Sequence, residues 1–143
     1  MAVVYFDASA LVKLLVDEDG TDLAVELWDT CHAAVSSRLS YPEVCAALAA
    51  AARAGRIAPR ARVAIEREWE TYWSAVRSIE LTARVARVAG DLCRQHGLRG
   101  ADGVHLASAM ELVDVDPVMA VWDVRLSAAA SAAGVRVAPS HLR

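Results

Sequence analysis

The sequence predicts an α/β domain in which helices cover both faces of a small parallel sheet of about four to five strands. Two short apolar runs, 3–6 and 118–122, are each followed directly by an aspartate and then by a helical pattern. Between and after these runs, segments with apolar residues three or four positions apart alternate with short extended segments. This alternation is typical of a three-layer α/β/α arrangement with parallel strands.

The spacing of apolar residues predicts each element in chain order. The first helix starts at Ser9, directly after the first strand, and Leu11 and Leu14 mark its apolar side. The segment 40–43 fits a capping box in which Glu43 is the acidic partner of Ser40. The predicted strands and extended segments are 3–6, 33–36 (weak), 79–82, 118–122 and the edge strand 135–137. The predicted helices are 9–16, one that begins at Thr21 or Asp22, 41–54, 59–77, 83–97, one after the loop 98–102, and 124–133.

The predicted helix over 59–77 carries an apolar stripe rich in aromatic residues. Its members recur at helical spacing: Ile65, Trp69, Tyr72, Trp73 and Val76. Core packing is the favoured interpretation of this stripe. A dimer face is the alternative, since Trp and Tyr are enriched in interface cores.

Length and composition predict one domain over residues 1–143. The chain is 56% hydrophobic, which is enough for a core without disulfides or metal sites as staples. Its three cysteines form no C-x-x-C pair and predict free, mostly buried thiols in a reducing compartment. Asp7 interrupts the first apolar run too early for a signal peptide, and no run reaches the roughly 18–20 residues of a membrane span. We therefore expect a cytoplasmic protein without a membrane partner.

The bulk charge does not indicate a nucleic-acid-binding protein. The formal net charge is −3 at pH 7, so basic residues that contact a polyanion must be concentrated locally. The tip of the predicted helical hairpin offers such a concentration. The candidates there for phosphate contacts are Arg53, Arg56 and Arg60.

Four acidic residues lie at or near predicted helix starts: Asp7, Glu43, Asp102 and Asp123. Each one alone is accounted for by capping or by a favourable interaction with a helix dipole. Together they predict more, because the carboxyl ends of parallel strands meet at one edge of the sheet. Several carboxylates at that edge would repel one another, and a divalent cation would remove the repulsion. Ligation by oxygen alone favours Mg²⁺ or Mn²⁺ over zinc.

The histidine that follows this pattern is His105. It lies three residues after Asp102 and therefore on the same face of a helix. A supporting role beside the acids, or a position at the edge of the core, is favoured over a role as general base. The sequence contains no Gly-rich phosphate loop, no dinucleotide-binding fingerprint and no serine-centred nucleophile elbow.

With these residues in place, the chain resembles the PIN-domain ribonucleases, and most of all the VapC toxins of type II toxin–antitoxin modules. The resemblance rests on segments that follow one another in the right order and spacing over essentially the whole chain. They are Phe6-Asp7-Ala8-Ser9-Ala10-Leu11-Val12-Lys13-Leu14, Ser40-Tyr41-Pro42-Glu43, Leu98-Arg99-Gly100-Ala101-Asp102-Gly103-Val104-His105-Leu106-Ala107, and Asp123-Val124-Arg125-Leu126 with Ala129, Ala130 and Gly134.

The resemblance implies a site and a reaction. Asp7, Glu43, Asp102 and Asp123 would bind Mg²⁺ or Mn²⁺, and a metal-activated water would cleave RNA endonucleolytically. Ser9 would orient Asp7 or a water by hydrogen bonding. The resemblance also implies a homodimer and a small antitoxin that plugs the acidic pocket, often with an arginine. The chain departs from the family at Val121, where Thr or Ser is common, so one hydroxyl near the site is lost.

Two other functions fit parts of the sequence. One is a binding module of the same fold with weak catalysis that acts through protein or RNA complexes; Val121 favours it and the four acids oppose it. The other is a phosphoacceptor domain of the receiver type. The chain lacks the early acidic pair and the late strand-end lysine of such domains, since its one lysine is Lys13.

Overall fold

A computed structural model describes residues 2–142. The strands are β1 (Val3–Phe6), β2 (Ala33–Ser37), β3 (Arg77–Ile79), β4 (Val118–Ala120) and β5 (Arg136–Ala138). The helices are α1 (Ala8–Lys13), α2 (Thr21–Thr30), α3 (Ser40–Arg53), α4 (Arg62–Ala75), α5 (Ala83–His96), α6 (Gly100–Met110) and α7 (Val124–Ala132). Short 3₁₀ turns at Pro59–Ala61 and Val113–Val115 complete the series.

The strands form one parallel sheet in the order β3-β2-β1-β4-β5. Side chains of the central strand alternate between two cores. Val4 and Phe6 lie in the core that α1 to α4 cover, whereas Tyr5 lies in the core that α5 to α7 cover. The predicted three-layer α/β/α fold is therefore confirmed, with five strands in the sheet.

The strand order places a crevice at the carboxyl ends of β1 and β4. The first half of the chain adds strands on one side of β1, and the second half adds them on the other side. Because crossovers between parallel strands are right-handed, this reversal moves the connecting helices to the opposite face of the sheet. Ligand sites of open parallel sheets lie at such a switch point. Asp7 directly follows β1 here, and Asp123 lies three residues beyond β4.

Several predicted boundaries were wrong, and tertiary contacts account for them. The helix predicted to reach 77 ends at Ala75, because Arg77–Ile79 pairs with β2 as an edge strand. Gly20, with φ of 92°, precedes α2 in place of the predicted Thr21 or Asp22 cap. The Thr21 hydroxyl instead donates to the carbonyl of Lys13 at 2.9 Å. Neither contact leaves a periodic signal in the sequence.

The predictions for the aromatic stripe on α4 and for the cysteines were partly confirmed. Trp69 is 2% exposed and packs against Tyr41 and Trp73, so the predicted core role is confirmed for this residue. The prediction of mostly buried cysteines was wrong: Cys45 is exposed, and Cys31 and Cys93 are partly exposed. All three thiols are free, as predicted. Within residues 2–142, no helix has the length and apolar character needed to cross a membrane.

Gly103 makes the contact between α5 and α6 that fixes the start of α6. A Cβ atom at this position would lie 2.8 Å from the carbonyl oxygen of Ala89 and would also collide with the Cys93 thiol. Gly100, in the same first turn, has no heavy atom within 4 Å of an added Cβ. Close approach of the two helices therefore requires glycine at 103 but not at 100.

We expect Gly103→Ala to lower the free energy of unfolding by about 1–3 kcal/mol, since backbone must shift to admit the methyl group. Gly100→Ala is the matched control and should be neutral or slightly stabilising, because alanine favours helix. Urea denaturation of the two variants and the parent checks this. Equal midpoints for the two variants would show that the helix contact is looser than described.

Candidate active site

The four predicted acids line one pocket at the carboxyl edge of the sheet. The pocket has a volume of about 420 Å³. Asp7, Glu43, Asp102 and Asp123 all face it, although they come from four different helix starts along the chain. Ser9 and His105 also line it, and so do the cations of Lys13 and Arg99. The sequence-based grouping of the acids therefore corresponds to a real cavity.

Asp7 is the most buried of the four acids, at 5% exposure. Its Oδ1 accepts hydrogen bonds from the Ala10 amide at 2.9 Å and from the Ser9 hydroxyl at 2.8 Å. The side chain thus caps α1 and is held by Ser9 at the same time. No hydrogen bond within residues 2–142 uses Oδ2, so this oxygen is available to a ligand.

Burial raises the pKa of Asp7 above its usual value of 3.8. Hydrogen bonds from the Ala10 amide and the Ser9 hydroxyl oppose this rise, and the carboxylate of Asp102 adds to it. A buried carboxylate without a neighbouring cation raises the free energy of the folded state, and pairing with a cation or a metal ion lowers it. The pocket thus favours a positive ligand beside Asp7.

Glu43 lies in the first turn of α3 but does not complete the predicted capping box. Leu39 precedes the helix and makes no side-chain cap. The Ser40 hydroxyl is bonded to Ser36 at 2.7 Å, and Oε1 of Glu43 is bonded to Nε2 of His105 at 2.6 Å. The capping-box prediction was wrong because both side chains have tertiary partners. This frees Glu43 to face the pocket.

Asp102 and Asp123 both contact the guanidinium group of Arg99. Nε of Arg99 lies 3.3 Å from Oδ2 of Asp102, and Nη2 lies 3.9 Å from Oδ2 of Asp123. Asp123 also caps α7, since its Oδ1 accepts from the Leu126 amide at 2.8 Å. The side chain of Arg99 is 80% exposed, so these contacts are weak and easily exchanged.

The carboxylate oxygens in the pocket are of the type that binds a hard divalent cation. They line the same pocket but do not meet around a single ion position. All four acids offer carboxylate oxygens, which Mg²⁺ and Mn²⁺ prefer. Among residues 2–142, no three His, Cys, Asp or Glu side chains stand close enough to hold one ion together. Coordination would therefore need side-chain rotation at the partly buried acids, of which Asp102 is held by its contact with Arg99.

Other site residues fall partly outside the pocket. Arg53, Arg56 and Arg60 are exposed at the hairpin tip and do not line the pocket. Since α3 rises about 1.5 Å per residue, Arg53 lies on the order of 15 Å along the helix axis from Glu43. Val121 is fully buried in the core beside Tyr5, so it supplies packing and no polar atom to the pocket.

The comparisons with known proteins agree with this geometry. Residues 4–113 match the sequence model of the PIN domain. The chain is 58% identical over 142 residues to ribonuclease VapC45 of Mycobacterium tuberculosis (strain CDC 1551 / Oshkosh), covering 99% of each chain. The chain belongs to the VapC family of PIN-domain proteins. Ribonuclease VapC49 of Mycobacterium tuberculosis (strain ATCC 25618 / H37Rv) matches with the same identity and coverage.

A solved structure supports the PIN fold of this VapC family member. The crystal structure of FitAcB from Neisseria gonorrhoeae superposes with a TM-score of 0.72 at 18% identity. The superposition covers 97% of this chain and 99% of that one. At this identity the likeness concerns the fold.

Sequence reasoning missed three residues of the VapC pocket and one residue beneath it. Arg99 was assigned only to a loop, Trp122 only to a strand, and Lys13 only to a helix. Lys13 bonds Glu18 at 3.1 Å and lies 5.1 Å from the centre of the Trp122 ring, so the two form one wall of the pocket. Tyr5, the fourth, is buried beneath the pocket and reaches it through His105. The position of Trp122 directly before a strand-end acid was the one available signal.

We expect Asp7→Asn to stabilise the metal-free protein at neutral pH. The raised pKa means that the folded state binds more protons than the unfolded state, so stability falls as pH rises from about 3.8 through the higher folded pKa. An asparagine Oδ1 keeps both hydrogen bonds of Asp7 without the buried charge.

Thermal unfolding in the presence of EDTA across pH 3 to 8 measures this effect. Asp123→Asn is the control, because that aspartate caps a helix in the same way but is 41% exposed. A neutral-pH stability of Asp7→Asn below that of the parent would contradict the unrelieved burial of charge at this site.

Proposed function

We propose that this chain is a Mg²⁺-dependent endoribonuclease, with Mn²⁺ as a substitute, and that it acts in the cytoplasm as the toxin of a type II toxin–antitoxin module. The observation that carries the proposal is the convergence of Asp7, Glu43, Asp102 and Asp123 on one pocket in a VapC family chain. Its curated relatives at 58% identity are named ribonucleases.

The four carboxylates are the proposed catalytic and metal-binding residues. A divalent cation held by them would activate water for attack on phosphorus and would offset the charge that develops there. Asp7 offers its free Oδ2, and Ser9 and the Ala10 amide hold the other oxygen in place. His105 holds one oxygen of Glu43, and the other has no hydrogen bond among residues 2–142. Asp123 is fixed through Oδ1 by the start of α7.

The surface beside the pocket suits an extended polyanion. A second groove of about 900 Å³ shares Arg99, Asp102, Trp122 and Asp123 with the pocket and continues along α7 to Arg125. An RNA strand in this groove would bring a phosphate to the carboxylates, with the guanidinium groups beside it. Unpaired bases commonly stack on aromatic side chains, and Trp122 is available for this contact. Arg53, Arg56 and Arg60 would contact phosphates farther along the strand.

The same proposal includes protein partners. We propose a homodimer and a small cognate antitoxin that covers the acidic pocket, as the family resemblance implies. One structural neighbour is described as a toxin–antitoxin complex from Klebsiella pneumoniae. An arginine of the antitoxin would find in the pocket the same carboxylates that Arg99 contacts.

We expect Asp102→Asn to reduce RNA cleavage at least about 100-fold, because loss of a ligand forfeits several kcal/mol of charge stabilisation. The assay incubates a mixed structured RNA pool with purified protein in Mg²⁺, Mn²⁺ or EDTA. Asp91→Asn, an exposed aspartate of α5 paired with Arg94, is the control and should cleave at the parent rate.

The outcomes of this assay separate the candidate functions. Metal-dependent cleavage that is lost in Asp102→Asn supports the nuclease. Absence of cleavage in the parent, together with no Mn²⁺ effect on its melting temperature, would replace the nuclease with the weakly catalytic binding module.

We expect Arg99→Ala to have opposite effects on two ligands. Removal of a cation that competes for Asp102 and Asp123 should tighten Mn²⁺ binding about two- to fivefold, the range of exposed ion pairs. Removal of a phosphate contact should weaken binding of non-cleavable RNA by a similar factor. Mn²⁺ titration monitored by melting temperature and RNA binding by fluorescence anisotropy measure the two effects. Arg94→Ala is the control, and a shift of both affinities in the same direction would contradict the assignment.

A further inference from the structure

A chain of hydrogen bonds runs from the buried central strand to the pocket. The Tyr5 hydroxyl lies 2.8 Å from Nδ1 of His105, and Nε2 of His105 lies 2.6 Å from Oε1 of Glu43. Tyr5 is fully buried and His105 is 2% exposed. Three elements, β1, α6 and α3, are thus joined by polar side chains where apolar ones would fill the core.

The donors and acceptors of this chain can be assigned from chemistry. A carboxylate oxygen only accepts hydrogen bonds, so Nε2 of His105 carries the proton that points at Glu43. In the neutral imidazole Nδ1 then has the lone pair, and it accepts from the Tyr5 hydroxyl. The phenol of a tyrosine keeps its proton at neutral pH, so the Tyr5 hydroxyl can be the donor of this bond. Tyr5 therefore selects the tautomer of His105 that binds Glu43.

This arrangement argues against a role for His105 as general base. Both ring nitrogens already have partners, and the ring is almost without contact to the pocket solvent. A general base needs a free lone pair within reach of the proton that it abstracts. His105 instead bonds one oxygen of Glu43 and leaves the second oxygen without a hydrogen bond among residues 2–142.

We propose that Tyr5 and His105 are positioning residues that hold the Glu43 carboxylate in the orientation that receives the divalent cation. The inference rests on the proposed function and deepens it, because it names how one ligand is preorganised. Hydrogen-bond partners of metal ligands fix the orientation of those ligands, and their loss commonly costs 10- to 100-fold in metal affinity. Tyr5 is not among the residues that line the pocket, and the hydrogen bond that links its hydroxyl to the pocket runs through His105.

The experiment compares His105→Leu, His105→Gln and Tyr5→Phe with the parent protein. A glutamine amide can donate to Glu43 and accept from Tyr5, whereas leucine keeps the volume and removes both bonds. Tyr72→Phe removes a hydroxyl from α4, away from the pocket, and is the matched control for Tyr5→Phe. The first readout is the Mn²⁺ concentration at half of the maximal rise in melting temperature, and the second is the Mn²⁺ dependence of RNA cleavage.

We expect His105→Leu to raise the half-saturating Mn²⁺ concentration about 10- to 100-fold. His105→Gln should restore most of the affinity, Tyr5→Phe should show a smaller loss in the same direction, and Tyr72→Phe should match the parent. Cleavage at saturating Mn²⁺ should change much less than the half-saturating concentration. Nitrogen-15 NMR of the metal-free parent should show His105 with its proton on Nε2, and Tyr5→Phe should weaken that preference.

Each outcome decides the inference. If Tyr5→Phe is folded and binds Mn²⁺ like the parent while His105 has the other tautomer, the positioning role is wrong. This comparison remains decisive if His105→Leu does not fold. If the parent itself shows neither a Mn²⁺ effect nor cleavage, the proposed function fails and the inference with it. If the parent binds Mn²⁺ and cleaves RNA, and His105→Leu and Tyr5→Phe do the same with unchanged Mn²⁺ affinity, the positioning role is wrong and the proposed function stands.

Discussion

The burial of one carboxylate at the end of the central strand is the constraint on which the site depends. Asp7 is 5% exposed, and its partners are an amide and a hydroxyl, not a cation. That burial follows from the topology, because β1 lies in the middle of the sheet and both cores pack against it. The other acids surround this position from helix starts on both sides of the sheet. The pocket is therefore a place where negative charge is held in low-dielectric surroundings and a cation is favoured.

The two cores contribute differently to the site. The core under α1 to α4 places Asp7 and Glu43, since Ser36 bonds both the carbonyl of Phe6 at 2.6 Å and the hydroxyl of Ser40. Together these two bonds hold the start of α3 against the end of β1. The core under α5 to α7 places Asp102 through the close approach of α5 and α6 at Gly103. A packing defect in either core would therefore displace carboxylates in the pocket in addition to lowering the stability of the fold.

Much of this could be predicted from the sequence, and the failures have physical causes. Strand-end aspartates and helix starts are local signals, so Asp7 and Asp123 were found as caps and as site residues together. Glu43 was assigned to a capping box because local spacing cannot reveal a partner 62 residues away. Arg99 and Tyr5 were missed for the same reason: an exposed loop arginine and a strand tyrosine acquire their roles only when α6 is docked on the sheet. Pairing of the short edge strand β3 likewise left no periodic signal.

The described bonds divide the carboxylates by how freely they can respond to a ligand. Asp7, Glu43 and Asp123 are each tied through one oxygen to groups that belong to the fold, namely an amide, an imidazole or a hydroxyl. Those bonds can persist while the second oxygen binds a cation. Asp102 is tied instead to Arg99, whose side chain is 80% exposed and also approaches Asp123. Since an exposed ion pair contributes little, on the order of 1 kcal/mol or less, this contact is the one that a divalent cation can displace at small cost. In the proposed reaction, the three acids that the fold holds would therefore define where a cation binds, and Arg99 would turn toward a phosphate.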